Sequence, residues 1–296
     1  MHMPPFKDNP WLLAIRPKTL FAAVSPVLIG TTMAVGDGIE HLPTAFLCLL
    51  GALSIQIATN LANDYFDFKK GVDNPERVGP RRAMQAGLIK PSAMMSAIIV
   101  SFSFSAVIAY WLFLRGGWPI AMIGILGILS GIFYTAGRKP LGYLGLGDIW
   151  VFIFFGPVAV AGTYYAQSLE INMAVVLAGF APGFISAGIL TINNLRDMET
   201  DKKYGKKTLA VRFGKNFAQT EYFIAILGAA FIPILIFLLI DDHAPILMSS
   251  TLGLMAIPVF KTILTQNDGP SLNEALAFTG KLLFIYSILF SLGWIL

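Results

Sequence analysis

Asn193-Asn194-Leu195-Arg196-Asp197-Met198-Glu199-Thr200-Asp201 closes an apolar run that begins near Met173 and opens onto the basic segment from Lys202 to Lys215. Asn193, Asp197 and Asp201 recur at i, i+4 and i+8, so a helix continuing through them stacks the three on one face, about 6 Å apart per step. The spacing predicts a ladder of oxygen ligands. A second ladder ends an earlier apolar run: Asn63-Asp64-Tyr65-Phe66-Asp67, followed by Asp73 and again by cations. A carboxylate at membrane depth costs about 2.5 to 3.5 kcal/mol on insertion scales, so repeated ones point to function. Two such ladders facing each other make a multi-metal site.

The setting of the ladders follows from composition. The 296 residues are 56% hydrophobic and only 13% charged, with a mean hydropathy of +0.70. The expected class is all-α, a polytopic membrane protein. Nine apolar runs are long enough to span: 18–36, 43–63, 91–114, 117–135, 148–167, 172–195, 217–240, 245–265 and 274–295. None has the polar face that a soluble helical bundle requires. With the N-terminus cytoplasmic, 19 of the 21 Lys and Arg residues fall on the cytoplasmic side, Arg115 falls outside and Lys281 within the last run. By the positive-inside rule the N-terminus is in, the C-terminus is out, and both ladders lie at the cytoplasmic face of a multi-pass protein. We expect one domain over 1–296, an N-terminal tail over 1–15, and cytoplasmic loops at 64–90, 136–147 and 196–215 that carry the site.

Several other classes are excluded. The first run is too long for a signal-peptide core. Cys48, the single cysteine, sits within an apolar run and reads as a packed hydrophobe. The net charge of +4 resides in membrane-flanking loops with little aromatic interleaving, which suits anionic headgroups and not nucleic acid. The glycines of Leu141-Gly142-Tyr143-Leu144-Gly145-Leu146-Gly147-Asp148 follow a membrane run, so they are no dinucleotide fingerprint. All three histidines, His2, His41 and His243, fall away from the ladders. Gly127 and Gly131 have the spacing of a helix-packing motif.

Oxygen ligands without His or Cys select Mg²⁺, with Mn²⁺ as a substitute. Mg²⁺ is commonly held by a few carboxylates together with substrate phosphate, and Arg77, Arg81 and Arg82 stand close by to meet one. Apolar helices around such a site imply that the diphosphate carries a long hydrocarbon. An allylic prenyl diphosphate meets both conditions. The pattern of ladder, glycine and cations appears twice, which suggests two structural repeats followed by an extra helix.

Asn63-x3-Asp67-x5-Asp73 and Asn193-x3-Asp197-x3-Asp201 resemble the two aspartate-rich motifs of the UbiA superfamily of intramembrane prenyltransferases, whose nine-helix fold the run count matches. The strings NDYFDFKKGVD, GPRRAMQAGLI, YTAGRKPLGYLGLGD and NNLRDMETDKKYGKKTLAVRFG, with Arg16-Pro17-Lys18-Thr19, resemble the branch acting on 1,4-dihydroxy-2-naphthoate in menaquinone synthesis. Five residues separate Asp67 from Asp73 where many relatives have three, which favours this branch over the 4-hydroxybenzoate enzymes.

The resemblance implies transfer of a polyprenyl group from polyprenyl diphosphate to 1,4-dihydroxy-2-naphthoate, with loss of CO₂ and diphosphate, giving demethylmenaquinone at the plasma membrane. It implies two Mg²⁺ ions on Asn63, Asp67, Asp73, Asn193, Asp197 and Asp201. Arg138, Lys139, Lys207, Arg81 and Arg82 are the expected diphosphate contacts, with Lys139 also acting in catalysis. Asp64 is the candidate proton acceptor, and Arg16, Lys18, Gln85 and Lys281 the candidates for the aromatic acid. Two alternatives stay open: a relative with a different aromatic acceptor, and a divalent-cation or anion transporter. A transporter needs polar groups that continue to the outer face, and the acids and cations here stop on one side.

Overall fold

Within a bilayer only helices and closed barrels satisfy every backbone N–H and C=O. The computed structural model describes residues 9–72, 78–240 and 243–296, and among these it is helical throughout, without a strand. Seven helical segments are long and apolar enough to cross a membrane. They are α3 (Leu42–Lys69), α4 (Pro91–Phe133), α5 with α6 (Gly147–Phe154, Pro157–Ser168), α7 (Met173–Arg196), α10 (Lys215–Ile240), a 3₁₀ stretch Ala244–Thr251 leading into α11 (Leu252–Met255) and α12 (Ile257–Thr265), and α13 (Gly269–Ile295). An eighth is the pair Pro10–Thr19 and Phe21–Gly36, bent by 45° at its break and containing α1 (Pro10–Ile15) and α2 (Phe21–Gly36). Two short helices, α8 (Met198–Lys203) and α9 (Leu209–Phe213), complete the order.

The 43 residues of α4 would reach about 64 Å if straight, twice the hydrocarbon thickness. Gly117, at φ 64° and ψ −154°, breaks the helix there. A Cβ on Gly124 would lie 2.9 Å from the Ala109 Cβ, so the two halves turn back on each other as a hairpin. The expected runs 91–114 and 117–135 are its two arms.

Two expectations are corrected. Residues 10–15, assigned above to an N-terminal tail, form α1, whose Ala14 is fully buried and whose Ile15 carbonyl accepts from Asn60 Nδ2 at 2.8 Å. The helix expected to run unbroken from Asn193 to Asp201 stops at Arg196, and Asp197 links it to α8.

The two ladder-bearing helices are held by different neighbours. α7 packs chiefly on α10, α13, α5 and α6, and α3 chiefly on α4. α7 approaches the α5–α6 break so closely that a Cβ on Gly179 would lie 2.5 Å from Pro157 Cα, and one on Gly183 2.5 Å from the Phe152 carbonyl oxygen. Only glycine admits backbones at that distance. At Gly131 a Cβ would meet the Thr59 hydroxyl and the Phe102 ring, so the second arm of α4 packs closely there, as the spacing with Gly127 predicts. Polar connections then gather at two opposite ends of the bundle. One end holds Lys70, Tyr143, Lys206 and Arg196 with their carboxylate partners. The other holds Asp37, Tyr164 and Asn172 together with Arg115, which donates to the carbonyls of Ala166 and Gln167.

Candidate active site

Inside the bundle lies a cavity of about 720 Å³, walled by α2, α3, α4, α5, α6, α7 and α13. Its greater part is apolar, lined by residues such as Ile108, Ile123, Phe154 and Val158. Its polar end is where the helices that carry the two ladders finish.

On the α3 side, Asn63 and Asp67 line the cavity. Asn63 Oδ1 accepts from Thr135 Oγ1 at 2.9 Å, and Asp67 Oδ1 accepts from the Tyr143 hydroxyl at 2.8 Å. On the α7 side, Asn193, Asp197 and Asp201 line it. The two sides meet at one cation: Lys206 Nζ stands 3.6 Å from Asp67 Oδ2 and 3.5 Å from Asp201 Oδ1. Gly205, at φ 75°, turns the chain back after α8, and Lys206 N donates to the Asp201 carbonyl at 2.9 Å. That turn aims the ammonium inward.

Asp197 has a different partner. Arg196 donates to it twice, from Nε at 2.8 Å and Nη2 at 2.6 Å, and also reaches Asn193 Oδ1 at 2.8 Å and Asn273 Oδ1 at 2.6 Å. The guanidinium thus holds Asp197 by a bidentate charge-assisted contact and ties the second ladder to α13 by a single hydrogen bond to Asn273. Tyr143 sits between two ammonium groups, Lys70 Nζ at 4.5 Å and Lys206 Nζ at 4.8 Å from its ring centre. Burial pushes the Asp201 carboxyl up to about 6, Lys206 opposes that rise, and the Asp197 and Asp67 charges add to it. Partial burial lowers the Lys70 ammonium against the opposing pull of Asp67, and Lys206 lowers it further.

The remaining expected residues divide in two. Arg16, Lys18, Arg81 and Arg82 line the cavity. Arg138, Lys139 and Lys207 are exposed and form no part of its wall, and neither do Gln85 nor the exposed Lys281. Asp64 is a correction. It is completely buried, off the cavity wall, and accepts from the backbone amides of Ala83 at 3.2 Å and Met84 at 3.3 Å, so it anchors the turn after Arg82. Asp73 and Arg77 lie outside the described residues.

Arg196, Lys206 and Tyr143 were missed. Arg196 sits inside the quoted stretch, three residues after Asn193, where a cation facing the ladder is legible once α7 is known to end there. Lys206 is marked by the glycine before it. Tyr143 carries no comparable signal.

No three acidic, His or Cys side chains form a metal cage among the described residues. A hard cation of Mg²⁺ type needs only one or two carboxylates when substrate phosphate completes its shell. Asp67 and Asp201, already converging on the positive charge of Lys206, with amide oxygens from Asn63 and Asn193 beside them, fit that requirement.

The description "UbiA prenyltransferase family" matches residues 23–288. Over 97% of its length the chain is 36% identical to the 1,4-dihydroxy-2-naphthoate octaprenyltransferase of Escherichia coli, covering 95% of that protein. It is 37% identical to the protein of the same name from Haemophilus influenzae, over 96% of this chain and 94% of that one. The fold is that of a UbiA homologue from Archaeoglobus fulgidus solved with DMAPP and Mg²⁺, at 18% identity and a TM-score of 0.67, covering 96% of this chain and 99% of the other. The matched length, the identities and the shared architecture agree: the chain belongs to the UbiA prenyltransferase family.

Proposed function

We propose that the chain transfers a polyprenyl group from a polyprenyl diphosphate to 1,4-dihydroxy-2-naphthoate, releasing CO₂ and diphosphate. The observation that carries this reading is the convergence of Asp67 and Asp201, from separate helices, on one ammonium at the mouth of an apolar cavity. The names of the bacterial relatives supply the acceptor.

Two Mg²⁺ ions bound through Asn63, Asp67, Asp73, Asn193, Asp197 and Asp201, or Mn²⁺ in their place, supply charge neutralisation for the departing diphosphate. The chain's own residues do the rest. Lys206, Arg81 and Arg82 pair with the diphosphate oxygens, and the exposed Arg138, Lys139 and Lys207 capture it on arrival. The C1–O bond breaks with its electron pair leaving on diphosphate. Apolar walls keep water from the allylic cation. Arg16 and Lys18 orient the acceptor through its carboxylate.

The ring carbon bearing the carboxylate forms the new C–C bond. The C–CO₂ bond then breaks, and its electron pair restores aromaticity. This route leaves no ring proton to remove. It therefore needs neither a histidine nor Asp64, whose carboxylate is spent on backbone amides. The immediate product is the quinol, which gives demethylmenaquinone on loss of two electrons and two protons.

Counting the two arms of α4 separately and the bent α1–α2 pair as one gives nine crossings. The N-terminus is then cytoplasmic and the C-terminus outside, which puts the cation-rich end, and so the active site, at the cytoplasmic face of the plasma membrane. The test is to express the chain with a source of 1,4-dihydroxy-2-naphthoate and identify the accumulating lipids by mass spectrometry. Demethylmenaquinone is expected. Prenylation of a different aromatic acid alone refutes the acceptor assignment.

A further inference from the structure

Among the described residues, the Trp150 indole N–H and the Ser186 hydroxyl are buried on the cavity wall without a hydrogen-bond partner. Ser186 is 3% exposed. Its hydroxyl differs from that of Thr191, one turn and a half further along α7, which donates to the Ala187 carbonyl at 2.9 Å in the usual way of a membrane helix. The two groups come from helices packed antiparallel. A Cβ on Gly147 would meet Leu190 at 3.3 Å and one on Gly183 would meet the Phe152 carbonyl, so the register sets Trp150 of α5 and Ser186 of α7 at one level. Trp150 is further fixed by stacking on Phe154, with ring centres 5.3 Å apart.

A buried polar group without a partner is costly, and such groups mark places where a bound molecule completes the hydrogen bonding. The substrates differ in what they can offer there. A polyprenyl tail has no donor or acceptor. The diphosphate belongs with the cations at the ladder end, and Ser186 lies seven residues before Asn193, about 10 Å deeper along the helix. A phenolic hydroxyl supplies one donor and one acceptor. It can accept from the indole N–H and donate to the serine oxygen. An acceptor held by its carboxylate at Arg16 and Lys18 directs its most distant hydroxyl, the one at ring position 4, away from the cations.

We propose that Trp150 and Ser186 form the subsite that recognises the position-4 hydroxyl of the aromatic acceptor. This rests on the acceptor reading above and adds the residues that discriminate among acceptors. Neither residue bears on the prenyl diphosphate.

The test uses the full chain in detergent or nanodiscs, with 1,4-dihydroxy-2-naphthoate as substrate and 1-hydroxy-2-naphthoate as an analogue that keeps the carboxylate and loses one hydroxyl. In the wild-type chain the analogue's Ki is expected to exceed the KM of the parent acid by roughly three- to tenfold, the worth of one or two neutral hydrogen bonds. Trp150→Phe and Ser186→Ala are each expected to raise the KM for the parent acid by a similar factor. They should leave the KM for prenyl diphosphate unchanged and reduce the preference over the analogue. Equal affinity of the wild-type chain for both acids overturns the proposal, even if neither variant folds, because water then serves those atoms as well as substrate does. Variants that keep the full wild-type preference overturn it too. Absence of any product from 1,4-dihydroxy-2-naphthoate in the wild-type chain defeats the acceptor reading itself, a result distinct from both.

Discussion

Replacing Lys206 by methionine isolates the charge that joins the two halves of the site. In the wild-type chain its ammonium lies 3.6 Å from Asp67 and 3.5 Å from Asp201; the lysine side chain is 14% exposed and those of the two aspartates 6% and 7%. Removing one member of a buried ion pair costs about 3 to 5 kcal/mol, because the partner is left charged in a poor solvent. The contacts here are long and the lysine is slightly open to water. The lower end applies, about 3 kcal/mol without metal at pH 7.5, above the value near 6 to which burial raises Asp201.

The same geometry sets the effect of metal. A divalent ion that takes both carboxylates must first displace the ammonium in the wild-type chain but not in Lys206→Met. The variant should therefore bind Mg²⁺ more tightly, by up to about a hundredfold if the whole 3 kcal/mol is recovered. Thermal unfolding of the purified chain, first in chelator and then in rising Mg²⁺ without prenyl substrate, reads both effects. The midpoint should fall in chelator, and Mg²⁺ should raise it more in the variant than in the wild type. Turnover should fall, since the diphosphate has lost a cation. If Mg²⁺ stabilises the variant no more than the wild type, Asp67 and Asp201 do not share a metal.

Four further outcomes follow from the same contacts. Asp67→Asn or Asp197→Asn should abolish product formation while the folded protein remains extractable, and undiminished turnover in either removes it from the metal set. Arg196→Met removes the bidentate partner of the buried Asp197 carboxylate and unties α13, and should cost about 3 kcal/mol in a denaturant titration; a loss below about 1 kcal/mol rejects the tie. Gly179→Ala forces a Cβ to within 2.5 Å of Pro157 Cα and should destabilise by about 1 to 3 kcal/mol, measurable as a lower unfolding midpoint. Asp64→Asn should lower stability and leave turnover per folded molecule within about tenfold; full inactivation of a well-folded variant would restore Asp64 as the proton acceptor.

Legibility of the sequence followed the range of each interaction. Apolar runs and glycine punctuation are local, so all nine runs fall on helical segments, and the two ladders appear at the ends of α3 and α7. The bend at Gly117 is also local and falls where the sequence divides runs 91–114 and 117–135, whereas the short helix at 10–15 has too few residues to register as a period. Helical spacing puts Asn63, Asp64 and Asp67 within one turn. It cannot say that Asp64 turns to the amides of Ala83 and Met84 while Asp67 turns to Tyr143, because both partners arrive from elsewhere in the chain.

The cations were hardest to assign, for a physical reason. A run such as Lys202 to Lys207 offers several interchangeable charges, and only the turn at Gly205 decides which one enters the site. Sequence favoured Lys207, whereas the structure aims Lys206 inward and leaves Lys207 exposed, with its backbone N–H donating to the Tyr143 carbonyl at 2.9 Å. Tyr143 is thereby fixed at both ends of the residue, by its carbonyl to this loop and by its hydroxyl to Asp67. The loop at 141–147 thus reaches the first ladder through that hydroxyl and the segment after the second through the Lys207 amide, and the Lys206 ammonium that both ladders share lies against the ring of the same tyrosine. Coupling between the ladders then has a hydrogen-bonded route through Tyr143 as well as a shared ammonium.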